Sequence, residues 1–302
     1  MASRHAHQLC GVQGCLQFLE PKAFVEELTR QSFAIVSCPA DVARPVRLAM
    51  QRAEALLGIS AATGLCLNYK RQKDLKQRLQ VRRTGNGLHA AEDDPAILSS
   101  SFEVMEAVAQ VSMEAWCDSQ GFPSQAAKSH FGDLSFGEEG YPEQGHGDPG
   151  TSAKGKSVLN LYHYFNEDPE EPCRQHADPG LVTVLCCSST RKGLEVRLPL
   201  EPGGAPGLPA TYDEEWQDVE AAMDLRRTDA QVSQDPSNSA PEAFCFLVIV
   251  GETLERLSAG HHPACLHRVA RTSEPRFNMA FELRPRCNVW HPWQQLLAPQ
   301  SG

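Results

Sequence analysis

The 302-residue sequence contains no run approaching 18 consecutive apolar residues, so no segment reads as a membrane span. Its first twenty residues, MASRHAHQLCGVQGCLQFLE, lack an apolar stretch of secretory length, and no signal peptide is expected. Basic residues are outnumbered, 28 Lys and Arg against 38 Asp and Glu, for a net charge of −10. No basic stripe is obvious, so no nucleic-acid partner is expected. No internal repeat is found. The 11 cysteines follow no regular spacing. Cys10 and Cys15 are separated by four intervening residues and Cys186 and Cys187 are adjacent, and neither spacing is a zinc signature. The chain is also too long for a secreted disulfide scaffold. The cysteines read as free thiols of a reducing compartment, with Cys186, Cys187 and Cys245 acting as small apolar residues inside strands. A soluble, cytoplasmic monomer is expected.

What is present is a globular composition, 41% apolar and 22% charged, enough to bury a core in one large domain or two ordinary ones. The acidity is uneven. Between Glu201 and Glu242 ten Asp and Glu face two Arg, a local charge of −8, and seven of the eleven residues from Pro199 are Pro or Gly. Most of that segment reads as a surface insertion in one hairpin. The only basic cluster, Lys70, Arg71, Lys73, Lys76, Arg78, Arg82 and Arg83, reads as a solvated helix or strand face, with contact to an anionic substrate as the alternative.

The first half reads mainly helical. Lys22 to Gln31 has a helical pattern, and Ser32 to Cys38 is a short β-like run ended by Pro39. Val46, Met50, Ala53, Leu56 and Leu57 form one stripe of 3.6-residue period after a capping Asp41. Over 102–118, Phe102, Met105, Val108, Ala109, Ser112 and Trp116 recur at helical steps until Gly121-Phe-Pro123. The Gly- and Pro-rich stretch 132–156 reads as a long loop. Beyond it, 158–165, 181–187, 194–198, 243–250, 265–270 and 276–283 are short β-rich runs separated by turn residues, which predicts an antiparallel sandwich or barrel.

Three pieces of this β-rich half carry chemistry. His176-Ala-Asp178 is an H-x-D at the mouth of the run Leu181 to Leu185, and period 2 puts its imidazole and carboxylate on one face. His267 lies in Leu266-His-Arg-Val269. Two His and one carboxylate form the facial triad of non-haem Fe(II) sites, which leaves three positions open. Arg276 and Asn278 share a face nine residues further on, where a guanidinium fork can pair with a carboxylate. An H-x-D alone is a common accident, and a loop histidine beside a capping aspartate is the bland alternative. His261 and His262, before Pro263, read as exposed turn residues and are rival ligands only if the register slips.

The order of the pieces is more specific than any one of them. His176-Ala-Asp-Pro-Gly-Leu-Val-Thr183, Gly193-Leu-Glu-Val196, Val250-Gly-Glu-Thr-Leu-Glu-Arg-Leu-Ser-Ala-Gly260, His267-Arg-Val269 and Arg276-x-Asn278 follow one another. Over about 157–286 this series resembles the isopenicillin N synthase-like 2-oxoglutarate/Fe(II) oxygenases, and Phe24 to Cys38 resembles the family's opening helix and strand more faintly. The resemblance implies an α+β fold, a double-stranded β-helix (jelly-roll) core with a helical N-terminal region packed on it. It divides the chain into 1–156, an oxygenase domain at 157–290 with the acidic insertion at about 199–242, and a tail at 291–302.

The resemblance also implies roles. His176, Asp178 and His267 match the iron ligands, and Arg276 the residue that pairs with the far carboxylate of 2-oxoglutarate. Asn278 stands where the family usually has Ser. Tyr162, in Leu159-Asn-Leu-Tyr-His163, matches a tyrosine that reaches the co-substrate, with Tyr164 a competing candidate. Asn160 shares its face, and His163 can point inward only if Tyr162 does not. Glu252 replaces the usual Asp after Gly251. The implied activity is a dioxygenase using Fe(II), 2-oxoglutarate and dioxygen, with ascorbate as a reductant. It would hydroxylate, desaturate or demethylate a small molecule and release succinate and CO2. The alternatives are an Fe(II) oxidase that uses no 2-oxoglutarate and a catalytically silent binding barrel.

Overall fold

Two antiparallel β-sheets face one another in this computed structural model, which describes residues 20–63, 69–72, 75–84, 87–89, 95–122, 157–167, 171–201, 210–223 and 243–284. The large sheet contains β1 (Phe33–Pro39), β2 (Tyr69–Gln72), β3 (Lys76–Thr84), β4 (Gly87–His89), β5 (Val158–Tyr164), β7 (Val182–Cys186), β10 (Ala243–Val250) and β12 (Arg276–Leu283). Their order is β1-β10-β7-β12-β5-β3-β2, with β4 on β3. The small sheet runs β6 (Cys173–His176), β11 (Leu266–Val269), β8 (Leu194–Arg197), β9 (Gln217–Asp218).

The large sheet buries both faces, and period 2 sorts its side chains. In β10, Phe246, Val248 and Val250 join the core on the helix side, while Cys245, Leu247 and Ile249 join the core between the sheets. In β1, Ala34 and Val36 take the first face and Phe33 and Ile35 the second. The helices cover the first face: α1 (Pro21–Gln31), α2 (Arg44–Gln51), α3 (Ala53–Thr63) and α4 (Pro95–Ser119). The apolar stripe of α4 is buried along its length, and Phe102 meets the Phe281 ring of β12 edge-on at 5.0 Å. A short helix, α5 (Glu252–Leu257), follows β10. Among the described residues, no helix is long and apolar enough to cross a membrane.

The structure refines several expectations. The β-like run expected at 32–38 is β1, which pairs with β10 from Phe33↔Ile249 to Pro39↔Ala243, but the mainly helical first half also supplies β2, β3 and β4, and β3 pairs with β5. The basic run 70–83 is therefore a hairpin built into the sheet, with Leu79 and Val81 buried beneath it. The single helix expected after Asp41 is two, α2 and α3, with Arg52 between them. Part of the acidic segment belongs to the fold itself. Its residues 217–218 form β9, and Val219 and Met223 are buried between the sheets. The Gly-rich loop 132–156 and the tail 291–302 lie outside the described residues.

Candidate active site

The H-x-D sits where β6 ends. His176 is the last residue of β6 and pairs directly with His267 of the neighbouring β11, which brings the two imidazoles to 4.3 Å between ring centroids. Asp178 lies in the turn leading into β7, and its position is enforced from behind. Glu252 N–H donates to the Asp178 carbonyl at 2.8 Å, Thr253 N–H to that of Gly180 at 3.0 Å, and Gly251 N–H to that of Leu181 at 2.9 Å. A Cβ on Gly251 would land on the Gly180 carbonyl and crowd that of Asp178 at 3.0 Å, so only glycine lets the two turns meet.

The three side chains converge. Ligand atoms of His176, Asp178 and His267 all lie within 4.8 Å of one another. Nε2 of His176 is 3.6 Å, and Nε2 of His267 4.0 Å, from the same oxygen, Asp178 Oδ1. The other ends are held. Nδ1 of His176 meets the Arg174 carbonyl at 2.8 Å and Nδ1 of His267 the Cys265 carbonyl at 3.0 Å, so each Nδ1 donates to a backbone carbonyl and each Nε2 faces Asp178. Thr183 Oγ1 donates to Asp178 Oδ2 at 2.6 Å, so one carboxylate oxygen is restrained and the other is presented. This donor set fits a divalent first-row metal at a facial site.

The electrostatics divide the pair. Contact with the Cys173 thiol, helped by the Arg174 carbonyl and the Asp178 charge, holds the His176 imidazole up at about 9, against its burial. Burial pushes His267 down, against the pull of Asp178. A metal ion in their midst would displace the His176 proton.

The triad opens into a cavity of about 130 Å³ between the sheets, whose far wall is β5 and β12. Tyr162 and Asn160 both line it, and so does Tyr164, its ring stacked on that of Tyr162 at 5.6 Å. Both tyrosines therefore face inward, and burial pushes the Tyr162 hydroxyl up to about 12 against the nearby Arg78 charge. His163 faces the opposite side, bonded to Gln77 and stacked on Phe277 at 4.2 Å.

Arg276 is fully buried at the end of the cavity away from Asp178. Its Nη2 is 3.3 Å from Glu220 Oε2, while Nε and Nη1 have no hydrogen-bond partner among the described residues. Asn278 beside it bonds weakly to the Cys186 carbonyl at 3.4 Å, and its Oδ1 is likewise unpartnered among them. Arg276 lines the cavity, and its unpartnered buried guanidinium N–H groups are what a ligand carboxylate needs.

Sequence reasoning missed Glu220. It comes from the acidic segment, is fully buried, and also accepts the N–H groups of Ser188 at 2.6 Å and Leu194 at 3.2 Å. It missed Thr183 as the brace of Asp178, although Thr183 lies within the quoted motif. His262 is also corrected. It is not an exposed turn residue but is 0% exposed, against Thr29 at 3.2 Å and 5.9 Å from the Trp116 ring. Glu252 is the first residue of α5 and pairs with Arg256 one turn on at 3.0 Å.

No family model and no curated relative matches the sequence. Solved structures do match. JOX2 in complex with 2OG, Fe and JA aligns at a TM-score of 0.59 with 16% identity, over 91% of this chain and 73% of that one. A full-length Neurospora crassa protein in complex with alpha-KG and 5-formyluracil aligns at 0.58 with 16% identity, over 88% and 78%. The Arabidopsis thaliana dioxygenase for auxin oxidation 1, in complex with 2-oxoglutarate, aligns at 0.57 with 13% identity, over 88% and 87%. The fold of this chain is thus the jelly-roll fold in which those 2-oxoglutarate complexes were solved.

Proposed function

We propose that the protein is an Fe(II)- and 2-oxoglutarate-dependent dioxygenase of a small-molecule substrate. The observation that carries the reading is a single cavity with a His-Asp-His donor set at one end and unpartnered guanidinium N–H groups at the other. His176, Asp178 and His267 would hold the iron, leaving a site charge near +1. Arg276, with Asn278 and Tyr162 beside it, would hold the far carboxylate of 2-oxoglutarate, and Asn160 would line the same wall. When bound, iron and 2-oxoglutarate together reduce dioxygen, release succinate and CO2, and supply the oxidant for a substrate C–H bond.

The chain's own contribution is placement. Thr183 and the 251–253 clasp keep Asp178 Oδ1 aimed at both Nε2 atoms, and the backbone carbonyls of Arg174 and Cys265 keep both imidazoles in the tautomer that can ligate. Apolar residues such as Leu185 and Leu194 wall the cavity and exclude water from the reacting groups.

A metabolite screen read by succinate formation, with iron, ascorbate and 2-oxoglutarate supplied, tests the reading. Succinate that requires both iron and 2-oxoglutarate supports it. A second reading, an Fe(II) oxidase without 2-oxoglutarate, draws on the fact that Glu220 already occupies one edge of Arg276. Oxygen uptake that proceeds unchanged without 2-oxoglutarate would favour it.

A further inference from the structure

The far end of the cavity contains a second cation. Arg276 of β12 and Lys76 of β3 both pair with Tyr164 of the intervening β5, so the three residues form one row across the large sheet. Adjacent strands lie about 4.8 Å apart, which separates the outer two backbones by about 10 Å, and both side chains are long enough to meet in the middle. They do lean inward. The Arg276 guanidinium lies 5.6 Å, and Lys76 Nζ 5.9 Å, from the centre of the same Tyr164 ring. Lys76 lines the cavity together with Arg276.

The two cations differ in what already neutralises them. Arg276 faces Glu220 at 3.3 Å with both side chains buried, so that pair is neutral as a unit. Glu282, another carboxylate on the cavity wall, is matched by Arg284 through two contacts of 2.8 Å. Lys76 has no carboxylate within ion-pair distance among the described residues, and its ammonium rests 3.5 Å from the Cys173 thiol, a weak acceptor. A ligand carboxylate arriving at Arg276 alone would add an uncompensated negative charge to a neutral buried pair, which is costly.

We infer that Lys76 supplies the charge that balances the far carboxylate of the co-substrate: Arg276 provides the directional N–H groups, Glu220 holds Arg276 in place, and the Lys76 ammonium leaves Cys173 to close the site. This rests on the co-substrate reading above. It turns a residue of a basic surface cluster into a binding residue, and it makes the β2–β3 hairpin part of the pocket. The strand places Arg78 and Gln80 on the same face, opposite Tyr162 and Asn160. Gln80 Nε2 donates to Asn160 Oδ1 at 2.9 Å, so β3 forms a continuous polar wall.

The test compares two 2-oxo acids of equal chain length, 2-oxoglutarate and 2-oxopentanoate, which differ only in the far carboxylate. Binding to the Mn(II)-loaded full chain is read by calorimetry, without turnover. The wild type should bind 2-oxoglutarate more tightly. Lys76→Met should weaken 2-oxoglutarate on the order of tenfold to a hundredfold and leave 2-oxopentanoate within about twofold, and Lys76→Arg should recover most of the loss. Equal effects on both acids, or none on 2-oxoglutarate, would overturn the role of Lys76 while leaving the co-substrate reading intact. A wild type that fails to prefer 2-oxoglutarate would remove both.

Discussion

His262 offers a test of the packing that needs neither metal nor substrate. The imidazole is fully buried between α1 and α4. Thr29 Oγ1 spends its one proton on the Val25 carbonyl at 2.9 Å, so it accepts from His262 Nδ1 at 3.2 Å. Nε2 is then the nitrogen left to protonate, and it has no partner among the described residues. Burial, with the neighbouring His261 adding to it, pushes the imidazole down from 6.5 to about 4. The folded state therefore resists a proton that the unfolded chain accepts. The stabilisation is complete above about pH 6.5 and is lost as pH falls toward 4. By pH 5 the loss traceable to this one residue is about 2 kcal/mol.

The assay is urea unfolding at pH 7.5 and pH 5, for the wild type and for His262→Phe, which fills similar space beside Trp116 and does not titrate. His163, His176 and His267 titrate in both proteins, so the difference between the two pH dependences isolates His262. The wild type should lose about 2 kcal/mol more than the variant over this interval. Parallel losses would refute the burial of His262 and with it the docking of the 260–263 turn against α1.

Two further predictions concern the site. Thr183→Val removes the hydrogen bond to Asp178 Oδ2 while keeping the shape of the side chain, and metal affinity measured by equilibrium dialysis should fall about 10- to 100-fold with an unchanged fold. Glu220→Ala leaves the Arg276 cation and the N–H groups of Ser188 and Leu194 without their acceptor. Chemical denaturation should show a loss of about 3–5 kcal/mol, far more than for any other acidic residue of 201–242.

The way these residues are placed explains which of them could be read from sequence. His176, Asp178 and His267 sit in short strands and turns whose motifs include the glycines that make them possible. Gly251, for instance, is legible because nothing larger fits behind Asp178. The faces of β10 and α4 follow from periods of 2 and 3.6 and emerge in the structure as written in the sequence. Lys76 was legible only as one basic residue among seven, because its meaning comes from the pairing of β3 with β5, some 80 positions further on. Glu220 is one of ten acidic residues in a Pro-rich, acidic segment. Nothing local distinguishes the one that turns inward. His262 was misread for the opposite reason: a His-His-Pro turn looks solvated, but α1 and α4 close over it. Long-range pairing and tertiary covering are the two things that local pattern does not encode.

The claim on which the account rests is that one ferrous ion is held by His176, Asp178 and His267. Anaerobic equilibrium dialysis of the full chain against Fe(II) tests it most directly. The wild type should bind one iron per chain, and Asp178→Ala, with an unchanged circular dichroism spectrum, should bind essentially none. Stoichiometric iron in the Asp178→Ala protein, or none in the wild type, would contradict it.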